Sequence, residues 1–245
     1  MNIVCIIPAR MNSSRFPGKP LKLINKIPMI QRVYRNVKKS KKIEKVFVAT
    51  CDKEIYQLIK SIGGNVIYTS KKHQRASDRT AEAMLKIEKK IKSKFDIVVM
   101  VQGDEPMVTS KMIDISLKPF AKDKKINVVN LMTKIKNKEE FKDLNEPKVV
   151  VDKYNNALYF SRSEIPSPWI SNQKKIYKQV CVIPFKRNYL LKFNKMKPTL
   201  LEKTESIDMN RILENGEKVR MVEITNYVKS VDTLSDLKIV EKLIK

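Results

Sequence analysis

Short apolar runs alternate with segments of helical periodicity through the first 105 residues, and this rhythm restricts the fold more than any other feature. Ile3–Ile7 is a continuous apolar run closed by Pro8. Such a run is expected of a central parallel strand covered on both faces. Met29, Ile30, Val33, Tyr34 and Val37 recur at helical spacing. Val46–Ala49 reads as the next strand. Ile55, Leu58, Ile59 and Ile62 mark a second helix, ended by Gly63-Gly64. Val66–Tyr68 is a short strand, and Ala81, Met84, Leu85 and Ile91 share one face of a third helix. Ile97–Val101 is another buried strand. This alternation implies a parallel sheet with right-handed crossovers. Ligands in such sheets bind beyond the carboxyl ends of the strands.

The rhythm changes after about residue 120. Strands are expected at 126–132, 148–152, 156–161, 178–184 and 218–224, with helices near 188–193, 207–214 and 233–244. Pro166 and Pro168 mark a loop around Trp169. No repeat, low-complexity tract or flexible linker intervenes. The expectation is a single α/β domain over residues 1–245, whose second half continues the same sheet and adds a flap over the site.

Composition narrows the function. No run of about 18 apolar residues is present, so no membrane insertion is expected. The N-terminus lacks the basic start and small-residue cleavage site of a signal peptide, which makes a cytoplasmic location the expectation. Cys5, Cys51 and Cys181 are widely spaced without a CxxC pair, against a zinc site. The net charge of +25 invites a nucleic-acid partner. Of the 51 basic residues, however, 41 are Lys and only 10 are Arg, and they spread along the whole chain without interleaved aromatics. Base-reading and bidentate phosphate contacts favour Arg. No nucleic-acid partner is therefore expected, although a positive field would draw in polyanionic substrates such as nucleotides.

Five segments carry possible chemistry. Residues 6–21 follow the first strand and hold three cations, Arg10, Arg15 and Lys19, with hydroxyls at Ser13 and Ser14 and a permissive Gly18. Such a loop can wrap a triphosphate through charge-assisted bonds, or stand as a solvated basic loop. It has neither the GxxxxGK[ST] nor the GxGxxG pattern. Val101–Pro106 places Asp104 at the end of a buried strand, where it can hold a divalent cation or cap a helix. Ser230–Leu237 offers a second carboxylate, Asp232, beside a capping pair formed by Thr233 and Asp236. His73–Arg79 opens the third helix, where Arg79 suits an anion or a nucleoside. His73 is the sole histidine and is not read as a general base. Asn156–Pro166 carries Arg162, which can clamp a substrate carboxylate or pair with Glu164.

Taken together, IIPAR…SSRFPGKPL, HQRASDR, VQGDEPM, ALYFSRSEIP and VDTLSDL resemble the 3-deoxy-manno-octulosonate (KDO) cytidylyltransferase, or CMP-KDO synthetase, family, and more distantly the CMP-sialic acid synthetases. The motifs run in the family's order across nearly the whole chain. The resemblance implies a Rossmann-like, mostly parallel sheet of the nucleotide-diphospho-sugar transferase type, with flanking helices and a dimerisation or lid flap. Residues 1–120 would be the nucleotide-binding half, and 121–245 the sugar-acid and dimerisation half of a homodimer. The implied reaction moves CMP from CTP to the anomeric hydroxyl of KDO, releases pyrophosphate and uses Mg2+, for lipopolysaccharide or capsule synthesis. Carried over by motif, Ala9 and Arg10 lie near the cytosine and its phosphates. Ser14, Arg15 and Lys19 hold the triphosphate, and Asp78 and Arg79 the nucleoside. Gln102 and Asp104 sit at the reaction centre with the cations of Arg10 and Lys19, and Asp104 and Asp232 bind magnesium. Tyr159, Ser161, Arg162 and Gln179 face the sugar acid.

The chain departs from the family pattern at four places. Arg75-Ala76-Ser77 replaces Ser-Gly-Thr. Gln179–Ile183 loses a His. Ile207–Arg211 replaces Leu-Glu-Gln-Leu-Arg, and Ser230 replaces a Gly. Three of the four fall in the acceptor half. A related ulosonic acid such as an 8-amino or sialic-type acid, another nucleotide base, a nucleotide binder without turnover, and a non-catalytic nucleic-acid binder are the alternatives.

Overall fold

The structure, a computed structural model, describes residues 1–13, 15–167 and 175–244. The triphosphate role expected of Ser14 and the loop around Trp169 lie outside the described residues. The strands are β1 (Ile3–Ala9), β2 (Leu23–Ile24), β3 (Ile27–Pro28), β4 (Lys45–Thr50), β5 (Val66–Tyr68), β6 (Ile97–Val101), β7 (Val129–Lys134), β8 (Lys148–Val151), β9 (Ala157–Ser161), β10 (Tyr177–Val180), β11 (Val182–Lys186) and β12 (Arg220–Ile224). The α-helices are α1 (Met29–Lys38), α2 (Lys53–Ser61), α3 (Ala76–Ile91), α4 (Ser110–Ser116), α5 (Lys118–Lys122), α6 (Lys138–Lys142), α7 (Arg187–Lys195), α8 (Leu200–Glu205), α9 (Met209–Glu214) and α10 (Leu234–Leu243).

The first sheet has the order β11-β6-β1-β4-β5. Its β6, β1, β4 and β5 run parallel, as the alternation required. All seven residues of β1 are buried. Ile3, Cys5 and Ile7 pack on the face covered by Ile30, Val33 and Ile55 of α1 and α2. Val4 and Ile6 pack on the opposite face with Met84 and Ile87 of α3 and Phe193 of α7. A two-sided covering is the reason this strand reads as an unbroken apolar run. Leu85 departs from the expected face of α3: it lies at the solvent margin, 44% exposed.

The second half continues that sheet only through β11, which runs antiparallel to β6. The remaining strands make a second sheet, β12-β7-β10-β8-β9, antiparallel except between β12 and β7. The single strand expected over 178–184 is divided at Cys181 into β10, on the second sheet, and β11, on the first. A bridge between Val128 and Phe185 adds a further link. Both core clusters run across the two sheets, with Leu131, Val180 and Ile224 in one and Met132, Val149 and Phe160 in the other. Of the described helices, none is long and apolar enough to cross a membrane.

Candidate active site

The carboxyl ends of β1 and β6 open on a cavity of about 340 Å³. Its floor and one wall come from Ala9, Arg10, Arg15 and Lys19. The loop that carries them is closed by the Gly18 amide donating to the Met11 carbonyl at 3.0 Å. It is tied to the sheet by the Met11 amide, which donates to Asp52 Oδ2 at 2.8 Å. Gly18 has φ 70° and turns the chain into a short 3-10 turn, Lys19–Leu21. Lys19, the first residue of that turn, is buried.

The second wall follows β6. A Cβ at Gly103 would stand 3.2 Å from the Pro8 carbonyl oxygen and 3.1 Å from Ile30 Cδ1, so glycine lets this turn press against the end of β1. Asp104 is thereby presented to the cavity. The Val231 amide donates to the Asp104 carbonyl at 3.0 Å and brings the segment before α10 alongside. Thr233 and Asp236 form the capping box of α10. Asp232, just outside the helix, remains directed into the cavity.

Lys19 joins the two carboxylates. Its Nζ donates to Asp104 Oδ2 at 2.8 Å and to Asp232 Oδ1 at 3.0 Å. Burial favours the neutral amine, but the two carboxylates outweigh it and hold the lysine pKa above its ordinary value. Arg15 Nη2 donates to the same Asp232 oxygen at 2.9 Å. Among the described residues no group of three or more His, Cys, Asp or Glu side chains forms a metal cage. Two hard carboxylate donors suit magnesium, which takes one or two carboxylates and fills its remaining positions with phosphate and water.

A smaller cavity adjoins the first and shares Arg15, Gln102, Asp104, Arg162 and Asp232 with it. Gln179, Glu105, Cys181 and Glu146 are among its own walls. Gln179 Nε2 donates to Asn130 Oδ1 at 2.6 Å. Glu105 is buried, and its Oε1 accepts the Cys181 amide at 2.9 Å. Burial and the neighbouring Asp104 push its pKa up to about 8, so it stands protonated at neutral pH. Arg162 makes no ion pair with Glu164. Its Nε donates to the Glu205 carbonyl and its Nη1 to the Leu144 carbonyl, both at 2.7 Å.

The cavities gather Ala9, Arg10, Arg15, Lys19, Arg79, Gln102, Asp104, Arg162, Gln179 and Asp232. Three expected residues stand apart. Asp78 does not line either cavity, because one residue along α3 turns it away from the face that presents Arg79. Tyr159 and Ser161 are also absent from the walls; their hydroxyls donate to Glu205 Oε1 at 2.8 and 2.7 Å. They hold Glu205, whose other oxygen accepts the Arg162 amide at 2.8 Å. Arg75 and Asp208 were not anticipated and line the larger cavity. Asp208 accepts from Arg75 Nη1 and from Ser77 Oγ, both at 3.0 Å. Their only mark in the sequence is that both stand in segments that depart from the family pattern.

A doubly covered parallel sheet ending in a basic loop and two facing carboxylates defines a nucleotidyltransferase-like α/β protein. The chain belongs to the cytidylyltransferase family, whose sequence model matches residues 4–219. It is an enzyme of that family. A 3-deoxy-manno-octulosonate cytidylyltransferase of Fusobacterium nucleatum is 39% identical over 245 residues, covering 100% of this chain and 98% of the relative. One of Geobacter metallireducens is 40% identical over 255 residues, covering 99% and 98%. A solved CMP:2-keto-3-deoxy-manno-octonic acid synthetase complexed with CTP superposes with a TM-score of 0.90 at 34% identity, covering 100% of this chain and 98% of that one. A 4-diphosphocytidyl-2C-methyl-D-erythritol synthase of Anaerococcus prevotii, at 15% identity and TM-score 0.64, shares the fold.

Proposed function

We propose that the enzyme transfers CMP from CTP to the anomeric hydroxyl of a 3-deoxy-ulosonic acid, KDO or a close relative, with release of pyrophosphate. The observation that carries this reading is the Lys19 ammonium held between Asp104 and Asp232 in the cavity that also holds Arg10 and Arg15. The acceptor oxygen forms a bond to the α-phosphorus as the bond from that phosphorus to the pyrophosphate oxygen breaks, and the hydroxyl proton is released. Arg10, Arg15 and Lys19 bind the triphosphate and neutralise charge that develops on the leaving group. Gln102 orients the reacting groups, and Arg162 binds the acceptor carboxylate. Arg79 supports the nucleoside site: it is buried, and its Nη2 meets no hydrogen-bond acceptor among the described residues.

Asp104 and Asp232 would hold Mg2+. When bound, the ion lowers the pKa of a coordinated hydroxyl and screens the phosphates. Asp104→Asn is expected to lower turnover by about a hundredfold or more, the scale of losing one key electrostatic group. Unchanged kinetics would remove Asp104 from the mechanism.

A different ulosonic acid is favoured by one contact. Two segments that depart from the family pattern meet where Asp208 accepts from Arg75 and Ser77. The deciding assay measures pyrophosphate release from each of the four nucleoside triphosphates with KDO, its 8-amino analogue and sialic acid. Release confined to CTP with one acceptor fixes the reaction, and silence with all of them overturns it. The same resemblance supports a homodimer in the cytoplasm serving lipopolysaccharide or capsule synthesis; light scattering of the purified chain tests the dimer.

A further inference from the structure

Behind the two carboxylates lies a buried ionic chain that the reaction as proposed does not use. Lys229 Nζ stands 3.0 Å from Asp236 Oδ1, 3.0 Å from Glu146 Oε1 and 3.5 Å from Asp143 Oδ2. Its side chain is only 9% exposed. The second oxygen of Glu146 takes Lys178 Nζ at 3.1 Å, and Lys178 also pairs with Glu140. The second oxygen of Asp236 accepts the Asp232 amide at 3.1 Å, the Thr233 amide at 2.9 Å and the Thr233 hydroxyl at 2.8 Å. The turn that supplies Glu146 also supplies Asn145, whose Oδ1 accepts from Arg15 Nη1. One buried lysine thus ties the turn that steadies Arg15 to the cap that carries Asp232.

We infer that Lys229 is a positioning residue for the metal site: through Asp236 it fixes the backbone of Asp232 and aims that carboxylate at Lys19 and Arg15. Ligating carboxylates depend on the groups that orient them, and losing such a partner typically costs about 10–100-fold in metal affinity or activity. The chain has two ends at the site. Removing Lys229 leaves Asp236 without its counter-charge and frees the segment around Asp232. It also loosens, through Glu146 and its neighbour Asn145, the turn that steadies Arg15, while the bond from Lys19 to Asp104 keeps both its partners.

The proposal rests on reading Asp232 as a magnesium ligand, and its test separates the two. Calorimetric titration of CTP with and without magnesium gives the factor by which the metal tightens CTP. In Lys229→Met this factor is expected to fall about tenfold, and in Lys229→Arg to stay near the unmodified enzyme. Asp236→Asn, which weakens the same link with little change of shape, is expected to repeat the loss. Asp232→Asn is expected to lower the factor by more than either, without abolishing it, and adding Lys229→Met to it to change nothing further. A folded Lys229→Met or Asp236→Asn variant that keeps the full factor while Asp232→Asn lowers it overturns the role of Lys229 alone. Independent, multiplying losses in the double variant overturn it too. If Asp232→Asn itself keeps the factor, the metal reading fails and the proposal falls with it.

Discussion

Arg79 shows how much a single side chain can reveal. Its Nη1 donates to Thr69 Oγ1, and its Nη2 is buried with no acceptor among the described residues. Leaving a buried charged donor unpaired costs more than an ordinary unmade hydrogen bond, so the position invites an anionic or polar ligand. Arg79→Lys keeps the charge and removes the planar fork. It is expected to raise the CTP dissociation constant about tenfold or more, since a hydrogen bond to a charged group contributes about 1.5–3 kcal/mol. Equilibrium binding checks this, and an unchanged constant removes Arg79 from the nucleoside site. The residues legible in the sequence share a property: Arg10, Lys19, Asp104 and Asp232 all stand beside the end of a strand or the start of a helix, so periodicity located them. Arg75 and Asp208 were illegible as a pair because their contact joins α3 to the start of α9, and no spacing rule carries that. Asp78 comes from the same motif as Arg79 but lines neither cavity, because a motif names neighbours without saying which way a helix turns them.

At the scale of elements, Ser206 and Asp208, which line the larger cavity, stand in the link between α8 and α9. Arg211 on α9 sends Nε to Glu202 Oε2 at 2.6 Å and Nη2 to Glu202 Oε1 at 2.5 Å. The Glu202 side chain is fully buried, and Arg75 Nη2 lies 3.5 Å from it. Removing one member of a buried pair strands the other charge and costs about 3–5 kcal/mol. Glu202→Ala should therefore lower unfolding stability by about that amount in a urea titration. Exchanging both partners for methionine should recover much of the loss. A Glu202→Ala loss below about 1 kcal/mol, the scale of an exposed pair, would mean that the pair is effectively solvated. The elements of the first sheet were readable because its central strands β1 and β6 are buried throughout and read as unbroken apolar runs, while helices such as α1 bury one face. The division at Cys181 was not. Residues 178–184 are apolar enough to form one strand, and the break comes from two non-local bonds: Gln102 donates its amide to the Cys181 carbonyl, and Glu105 accepts the Cys181 amide. The short helices α4, α6 and α8 span seven, five and six residues, too few turns for a periodic signal.

At the scale of the whole molecule, the net charge of +25 acts on a substrate that carries several negative charges. A cleft lined by one sign of charge can raise on-rates by about 10–1000-fold, an effect that weakens with ionic strength. The cavity adds Arg10, Arg15, Lys19, Arg75, Arg79 and Arg162 to the background of dispersed lysines, against Asp104, Asp208 and Asp232. Screening reaches about 10 Å at 0.1 M salt and about 3 Å at 1 M, so the distant lysines lose their influence first. The rate of CTP association should therefore fall about tenfold or more between 0.01 and 0.5 M salt, whereas dissociation, governed by short contacts inside the cavity, should change much less. Stopped-flow binding separates the two. An association rate indifferent to salt would show that the lysine excess does not steer substrate, and its origin would then lie outside the reaction. A steep salt dependence for single-stranded DNA or RNA with no response for CTP would point instead to the nucleic-acid partner that the arginine-poor composition argues against.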